Sequence, residues 1–133
     1  LSMTRYSYPS SGSDNYAEAT ASVTVTHGPA SAFLGFCYAP PQSALRDEAG
    51  RRHGNGYASA QTAYEIGGTP LTLKAGLGYE RGAFDEVARG GKWDWNLGGE
   101  AARGPFKVSL SYVACNADSG GRHALVGGLT FSW

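Results

Sequence analysis

Two-residue alternation of apolar and polar side chains runs through most of this chain, and it constrains the fold more than any other feature. Successive side chains of an extended strand point to opposite faces, so such a run reads as a strand with one apolar and one polar face. In "PLTLKAGLGYE", Leu71, Leu73, Ala75, Leu77 and Tyr79 share one face, and Thr72, Lys74, Gly76, Gly78 and Glu80 the other. In "KWDWNLGGEA", Trp93, Trp95, Leu97, Gly99 and Ala101 stand against Lys92, Asp94, Asn96, Gly98 and Glu100. "PFKVSLSYV" sets Phe106, Val108, Leu110 and Tyr112 against Lys107, Ser109 and Ser111. "NYAEATASVTVTH" sets Ala17, Ala19, Ala21, Val23 and Val25 against Glu18, Thr20, Ser22, Thr24 and Thr26. The final run sets Leu125, Gly127, Leu129, Phe131 and Trp133 against Val126, Gly128, Thr130 and Ser132.

Two segments, "ASAFLGFCYAP" and "GYASAQTAYEI", alternate less cleanly, and a short "SMTRYSY" completes a count of eight. The pattern predicts strands near 2–8, 15–27, 30–39, 56–66, 70–80, 91–103, 105–115 and 123–133. Helix has little support; "QSALRDEAG" is the best candidate and lacks an apolar stripe.

The connections alternate as well. "HGPAS", "GGTP" and "RGP" are tight, whereas "PPQSALRDEAGRRHGNG", "RGAFDEVARGG" and "NADSGGRH" are long or polar. In an antiparallel meander this puts the tight turns on one side and the long loops on the other, with both termini on the tight-turn side. An even strand count, short turns opposite long loops, and apolar-out, polar-in alternation are the pattern of a bacterial outer-membrane barrel.

A soluble barrel or sandwich would alternate too, with its apolar face turned into a core. Here that core would be filled largely by Ala, Tyr and Trp. In the membrane arrangement, Tyr and Trp near strand ends form interfacial girdles. The reading is therefore an all-β single domain spanning 1–133, an antiparallel up-and-down meander of about eight strands closing into a transmembrane β-barrel. Glu18, Glu65, Lys74, Lys92, Asp94, Asn96, Glu100 and Lys107 would line its lumen, on the face that also carries Glu80. Tyr64, Tyr79, Trp93, Trp95, Phe106, Tyr112 and Phe131 would face lipid or form the girdles. The chain ends "LTFSW", and a terminal aromatic at the end of a strand matches the signal that hands outer-membrane barrels to their assembly machinery, a role that falls to Trp133. No signal peptide is visible at the start, and the expected location is the bacterial outer membrane.

The run "GTPLTLKAGLGYERGAF", then "GGKWDWNLGGEA", then "GPFKVSLSYV" resembles the TorF-type porins, a group of proteobacterial outer-membrane proteins. "TRYSYPSSGSDNYAEATASV" and "FCYAP" fit the same family, and the resemblance covers nearly the whole chain. Its motifs are structural, and the family has no catalytic signature to transfer. Family members carry several more strands before the segment aligned with "TRYSYP", so the resemblance implies that this chain corresponds to the C-terminal portion of such a protein.

Other chemistry has less support. Eleven basic and eleven acidic residues balance to zero net charge, which argues against a nucleic-acid partner. His27, His53 and His123 lack metal-ligand spacing, and no metal or cofactor is expected. "GLGYERG" faintly resembles a phosphate loop, but it lies in a strand pattern with no helix after it. Lys92, Asp94 and Glu100 read as ion pairs on one strand face, not as acid–base groups, and no nucleophile–base pair points to an enzyme. "RDEAGRR" and "RGAFDEVAR" are mixed-charge loops, read as solvated outer loops or a surface that binds lipopolysaccharide or another ligand. By parity Cys37 and Cys115 fall on the polar face near the long-loop end. In an eight-strand barrel they sit on opposite walls, beyond the roughly 7 Å a disulfide spans, so no bond within the chain is expected; bonding between chains stays open.

The expected function is that of an outer-membrane β-barrel giving porin-like passage to small polar solutes, or a membrane anchor. Its partners would be the lipid bilayer and the barrel assembly machinery, through the C-terminal strand. The alternative is a structural subunit that polymerises through exposed strand edges into a fibre or homo-oligomer.

Overall fold

The computed structural model describes residues 1–10, 14–46, 50–85, 90–117 and 122–132. They form eight strands: β1 (Ser2–Tyr6), β2 (Tyr16–His27), β3 (Ala30–Ala39), β4 (Asn55–Glu65), β5 (Leu71–Gly82), β6 (Lys92–Arg103), β7 (Phe106–Cys115) and β8 (His123–Phe131). They make one antiparallel sheet in the order β1-β2-β3-β4-β5-β6-β7-β8, so every strand pairs with its neighbour in sequence.

Periodicity placed the strands to within about two residues. β1 stops at Tyr6 because the chain then turns toward Pro9, and the Tyr8 amide donates to the Asn15 side chain at 2.6 Å instead of a neighbouring strand.

The tight turns are built from local chemistry. Gly28-Pro29 and Gly104-Pro105 join β2 to β3 and β6 to β7, and both glycines take positive φ, at 56° and 59°. Glycine first in a two-residue loop is the pattern of a type II′ turn. Pro29, Pro70 and Pro105 each immediately precede a strand, where the missing N–H costs the ladder nothing. Their carbonyls accept from Glu65, Ala102 and Ser132, at 2.9, 3.0 and 2.9 Å, and so extend the pairing into the turns.

At the opposite end, Pro40 and Pro41 cannot continue β3 alongside the start of β2. Gln42 substitutes for a strand residue: its side-chain amide donates to the Ala17 carbonyl and accepts from the Ala17 amide, each at 2.8 Å. Nearby, the β3–β4 loop buries Leu45 to 2% exposure.

Closure into a barrel, expected from the sequence, is absent: β1 and β8 do not pair, and the sheet is open. The register explains this on the β1 side. β1 covers only Tyr16–Thr20, and among the described residues the Ala21–His27 edge of β2 has no neighbour on that side. Ser2 lies opposite Thr20, midway along β2, so of the two outer strands only β8, whose Phe131 pairs with Phe106, reaches the tight-turn end. Trp133, the expected assembly signal, lies outside the described residues.

The sheet has no conventional core. The buried apolar residues are Ala39, Leu45, Ala114 and Ala117, and no large side chain among the described residues is fully buried.

Candidate functional site

The pairing register carries one face across the sheet. Glu18 lies opposite Thr4, Tyr57 opposite Glu80, Gly78 opposite Asp94 and Glu100 opposite Ser109. Glu18, Glu65, Lys74, Glu80, Lys92, Asp94, Asn96, Glu100 and Lys107 therefore share one side. The other side carries Leu34, Tyr64, Leu73, Tyr79, Trp93, Trp95, Leu97, Phe106, Leu110, Tyr112 and Phe131.

The two sides differ in exposure in the direction opposite to that of a water-soluble sheet. Leu97 is 65% exposed, Leu110 59% and Leu34 57%, while Asp94, Asn96 and Glu100 are half-buried. The sheet and its loops wrap toward the polar side. Phe84, in the loop after β5, brings its ring edge-on to Tyr16 of β2 at 6.4 Å, although β3 and β4 lie between those strands.

Two tiers of interaction organise the polar face. Toward the tight turns, Glu100 accepts from Lys74 at 2.7 Å and has Lys107 at 3.6 Å, a three-residue ion network across β5, β6 and β7. Toward the long loops, Lys92 pairs with Glu80 at 2.5 Å. Glu80 also accepts from the side chain of buried Asn55 at 2.9 Å. Tyr57 donates to Asp94 at 3.2 Å and Tyr6 to Glu18 at 3.1 Å. The Tyr57–Asp94 bond crosses β5 above Gly78, where any Cβ would collide with both side chains; Asn96 lies over Gly76 in the same way. These two glycines form the floor on which the long polar side chains lie.

Aromatic side chains gather at both ends of the apolar side. Phe106 and Phe131 sit 5.2 Å apart at the tight-turn end, and Tyr64 stands toward the same end three strands away, on β4. Tyr79 and Trp93 sit 4.6 Å apart at the long-loop end, and Trp95 and Tyr112 follow further along the strands, opposite Leu77 and Leu97. Leu73 and Leu110, both aligned with Gly99, lie between these residues and the tight-turn end.

A family model described as "Bacterial protein of unknown function (Gcw_chp)" matches residues 1–128, nearly the whole chain. The chain belongs to the Gcw_chp family. That description names no activity and makes no link to the TorF-type porins. No curated protein and no solved structure matches the chain.

In this Gcw_chp chain the eight polar residues singled out in the sequence fall on one face, but they do not form one cluster. Lys74, Glu100 and Lys107 meet in one tier, Lys92 and Asp94 stand in the other, and Glu65 is exposed near the tight turns. Sequence reasoning missed Tyr6, Asn55 and Tyr57. The signal for Tyr57 was present, since it shares parity with Ser59 and Gln61 on a strand whose alternation is blurred by alanine. Cys37 and Cys115 are free thiols on this face, on β3 and β7. The loops "RDEAGRR" and "RGAFDEVAR" fall partly outside the described residues. Among those residues no His, Cys, Asp and Glu group has the makings of a metal site.

Proposed function

We propose that this chain forms the wall of a bacterial outer-membrane β-barrel of the porin type, with its apolar face against lipid and its polar face along a passage for small polar solutes. The carrying observation is the inverted exposure of the two faces. Soluble monomers rarely expose a contiguous apolar patch larger than a few hundred Å². Here Leu34, Leu73, Leu77, Leu97 and Leu110 form a band across successive strands, and among the described residues each keeps about half or more of its surface exposed. In a bilayer that band is satisfied without further packing. β2 to β8 are 9 to 12 residues long, close to the roughly 9–11 that a tilted strand needs to cross the hydrocarbon. The aromatic groups at either end fit two interfacial girdles.

On this reading Glu18, Glu65, Lys74, Glu80, Lys92, Asp94, Asn96, Glu100 and Lys107 face the lumen. The free edges of β2 and β8 must be covered, because hydrocarbon does not tolerate unpaired backbone. A ring closed on eight strands would be filled by its own side chains. The half-exposed polar face and the uncovered Ala21–His27 edge favour a wider ring, completed by further strands, with space for solutes.

The test is reconstitution into liposomes with isotonic small sugars. The expected result is strand-type circular dichroism together with swelling that slows as the sugar grows. A protein without strand-type dichroism in lipid would overturn the reading, and one that inserts without permeabilising would be an anchor.

The same free edges favour a second reading, a subunit that polymerises by strand addition. Light scattering in mild detergent separates the two: elongated particles of many chains support polymerisation, and compact particles of one or a few chains support the barrel.

A further inference from the structure

We propose that the niche around Gly56, between Arg81 and Tyr38, binds the phosphate headgroup of an anionic membrane lipid; this rests on the reading of the apolar face as lipid-facing. The charges on the strands are sorted by type. Glu18, Glu65, Glu80, Asp94 and Glu100 share the polar side with the strand lysines Lys74, Lys92 and Lys107. The strand arginines Arg5, Arg81 and Arg103 stand on the other side, opposite Ala17, Gly56 and Phe106. The apolar side of the strands therefore carries arginine and no acid. A guanidinium fork matches the oxygens of a phosphate, and on this side no strand carboxylate competes for it.

Arg81 has the most complete surroundings of the three. Gly56 pairs with Tyr38 on one side and with Arg81 on the other, and having no side chain it leaves a gap between them. The Tyr38 ring reaches over β4 toward the long loops, with its hydroxyl 3.3 Å from where a Cβ on Gly54 would lie. Both side chains are exposed, and among the described residues neither the Arg81 guanidinium nor the Tyr38 hydroxyl has a hydrogen-bond or ion-pair partner. A charged fork and a neutral donor thus flank one gap, just beyond Tyr79 and Trp93, at the level where headgroups lie. Asp85, in the loop after β5, accepts from the Gly82 amide at 3.2 Å instead of pairing with Arg81. The β3–β4 loop carries Arg46, Asp47, Glu48, Arg51 and Arg52, and the β5–β6 loop Asp85, Glu86 and Arg89, so acids and bases are equal in number there. Recognition here rests on contact with the Arg81 fork, not on the net charge of that end.

The experiment reads the fluorescence of Trp93 and Trp95 in the full chain carrying Trp133→Phe. The vesicles are phosphatidylcholine with a small share of brominated phosphatidylglycerol or, for comparison, of brominated phosphatidylcholine. The expected result is about fivefold tighter association of phosphatidylglycerol with the quenching site. Arg81→Gln removes the fork, and Gly56→Val fills the gap, where the nearest atoms lie 4.0 Å from the added Cβ and leave room for it. Each should bring the two lipids close to equal. Arg81→Lys should recover only part of the preference, because lysine lacks the fork. Arg103→Gln removes the same charge at the tight-turn end and should leave the preference intact. Strand-type circular dichroism in lipid checks that each variant still folds. Equal quenching by the two brominated lipids in the parent chain, or a preference that survives Arg81→Gln, overturns this inference and leaves the apolar face in lipid. A preference abolished by inorganic phosphate at constant ionic strength assigns the niche to a free anion and overturns it as well. Quenching by neither brominated lipid overturns the lipid-facing reading and this inference together.

Discussion

The Tyr57 hydroxyl donates to Asp94 Oδ1 at 3.2 Å across an intervening strand, directly above Gly78. Tyr57 is on β4 and Asp94 on β6, so the bond needs the strand between them to present no side chain at that point. Gly78→Ala would put a Cβ against both groups, and the expected cost is about 1–3 kcal/mol in urea unfolding from detergent or vesicles. Gly98→Ala should cost more, because there the added atom meets the backbone carbonyl of Leu110 at 2.5 Å, which cannot swing aside as the ends of two side chains can. Equal, negligible losses at the two positions would show that the face is not packed in this way.

Ser109 and Leu110 are chain neighbours on opposite faces of β7. Leu110→Arg should cost about 2–4 kcal/mol in vesicles if its face meets the middle of the bilayer. Ser109→Arg lies opposite Glu100 and should change stability by less than about 1 kcal/mol. Unfolding titrations of the two variants in the same vesicles make the comparison, and a reversed order would exchange the faces.

Glu100 joins Lys74 and Lys107, and both lysines keep nearly half of their side-chain surface exposed. Pairs this wet contribute little, so Glu100→Gln should lower stability by no more than about 1 kcal/mol. A loss several times larger would show that this tier is dry and the polar face closed to water.

Gln42 supplies the two hydrogen bonds that Pro40 and Pro41 deny to the start of β2. Gln42→Leu removes both, and hydrogen exchange at the Ala17 amide should accelerate while amides near the tight turns, such as Glu65, stay protected. Unchanged exchange at Ala17 would mean that the side-chain cap does not hold that end of the strand.

Much of the architecture was legible in the sequence because alternation is a local property. The parity of Leu71, Leu73, Leu77 and Tyr79 assigned the faces of β5, and the alternation of turn lengths gave the meander. What was not legible depends on register and on contacts between distant segments. Nothing local to "SMTRYSY" says that β1 covers only the first part of β2, so closure was expected where the structure keeps an open sheet. Phe84 lay in a polar loop with no periodicity to assign it, and only the wrapping of the sheet and its loops brings it to Tyr16. Phe33 breaks the pattern outright, an aromatic side chain on the polar side of β3, opposite Gln61.

The central claim is that the face bearing Trp93 and Trp95 lies against lipid. Tryptophan fluorescence in vesicles with brominated acyl chains tests it directly, in a Trp133→Phe variant that isolates these two reporters. The account predicts strong quenching by the acyl-chain bromines and little by aqueous iodide. Strong quenching by iodide with none by the brominated lipids would contradict it.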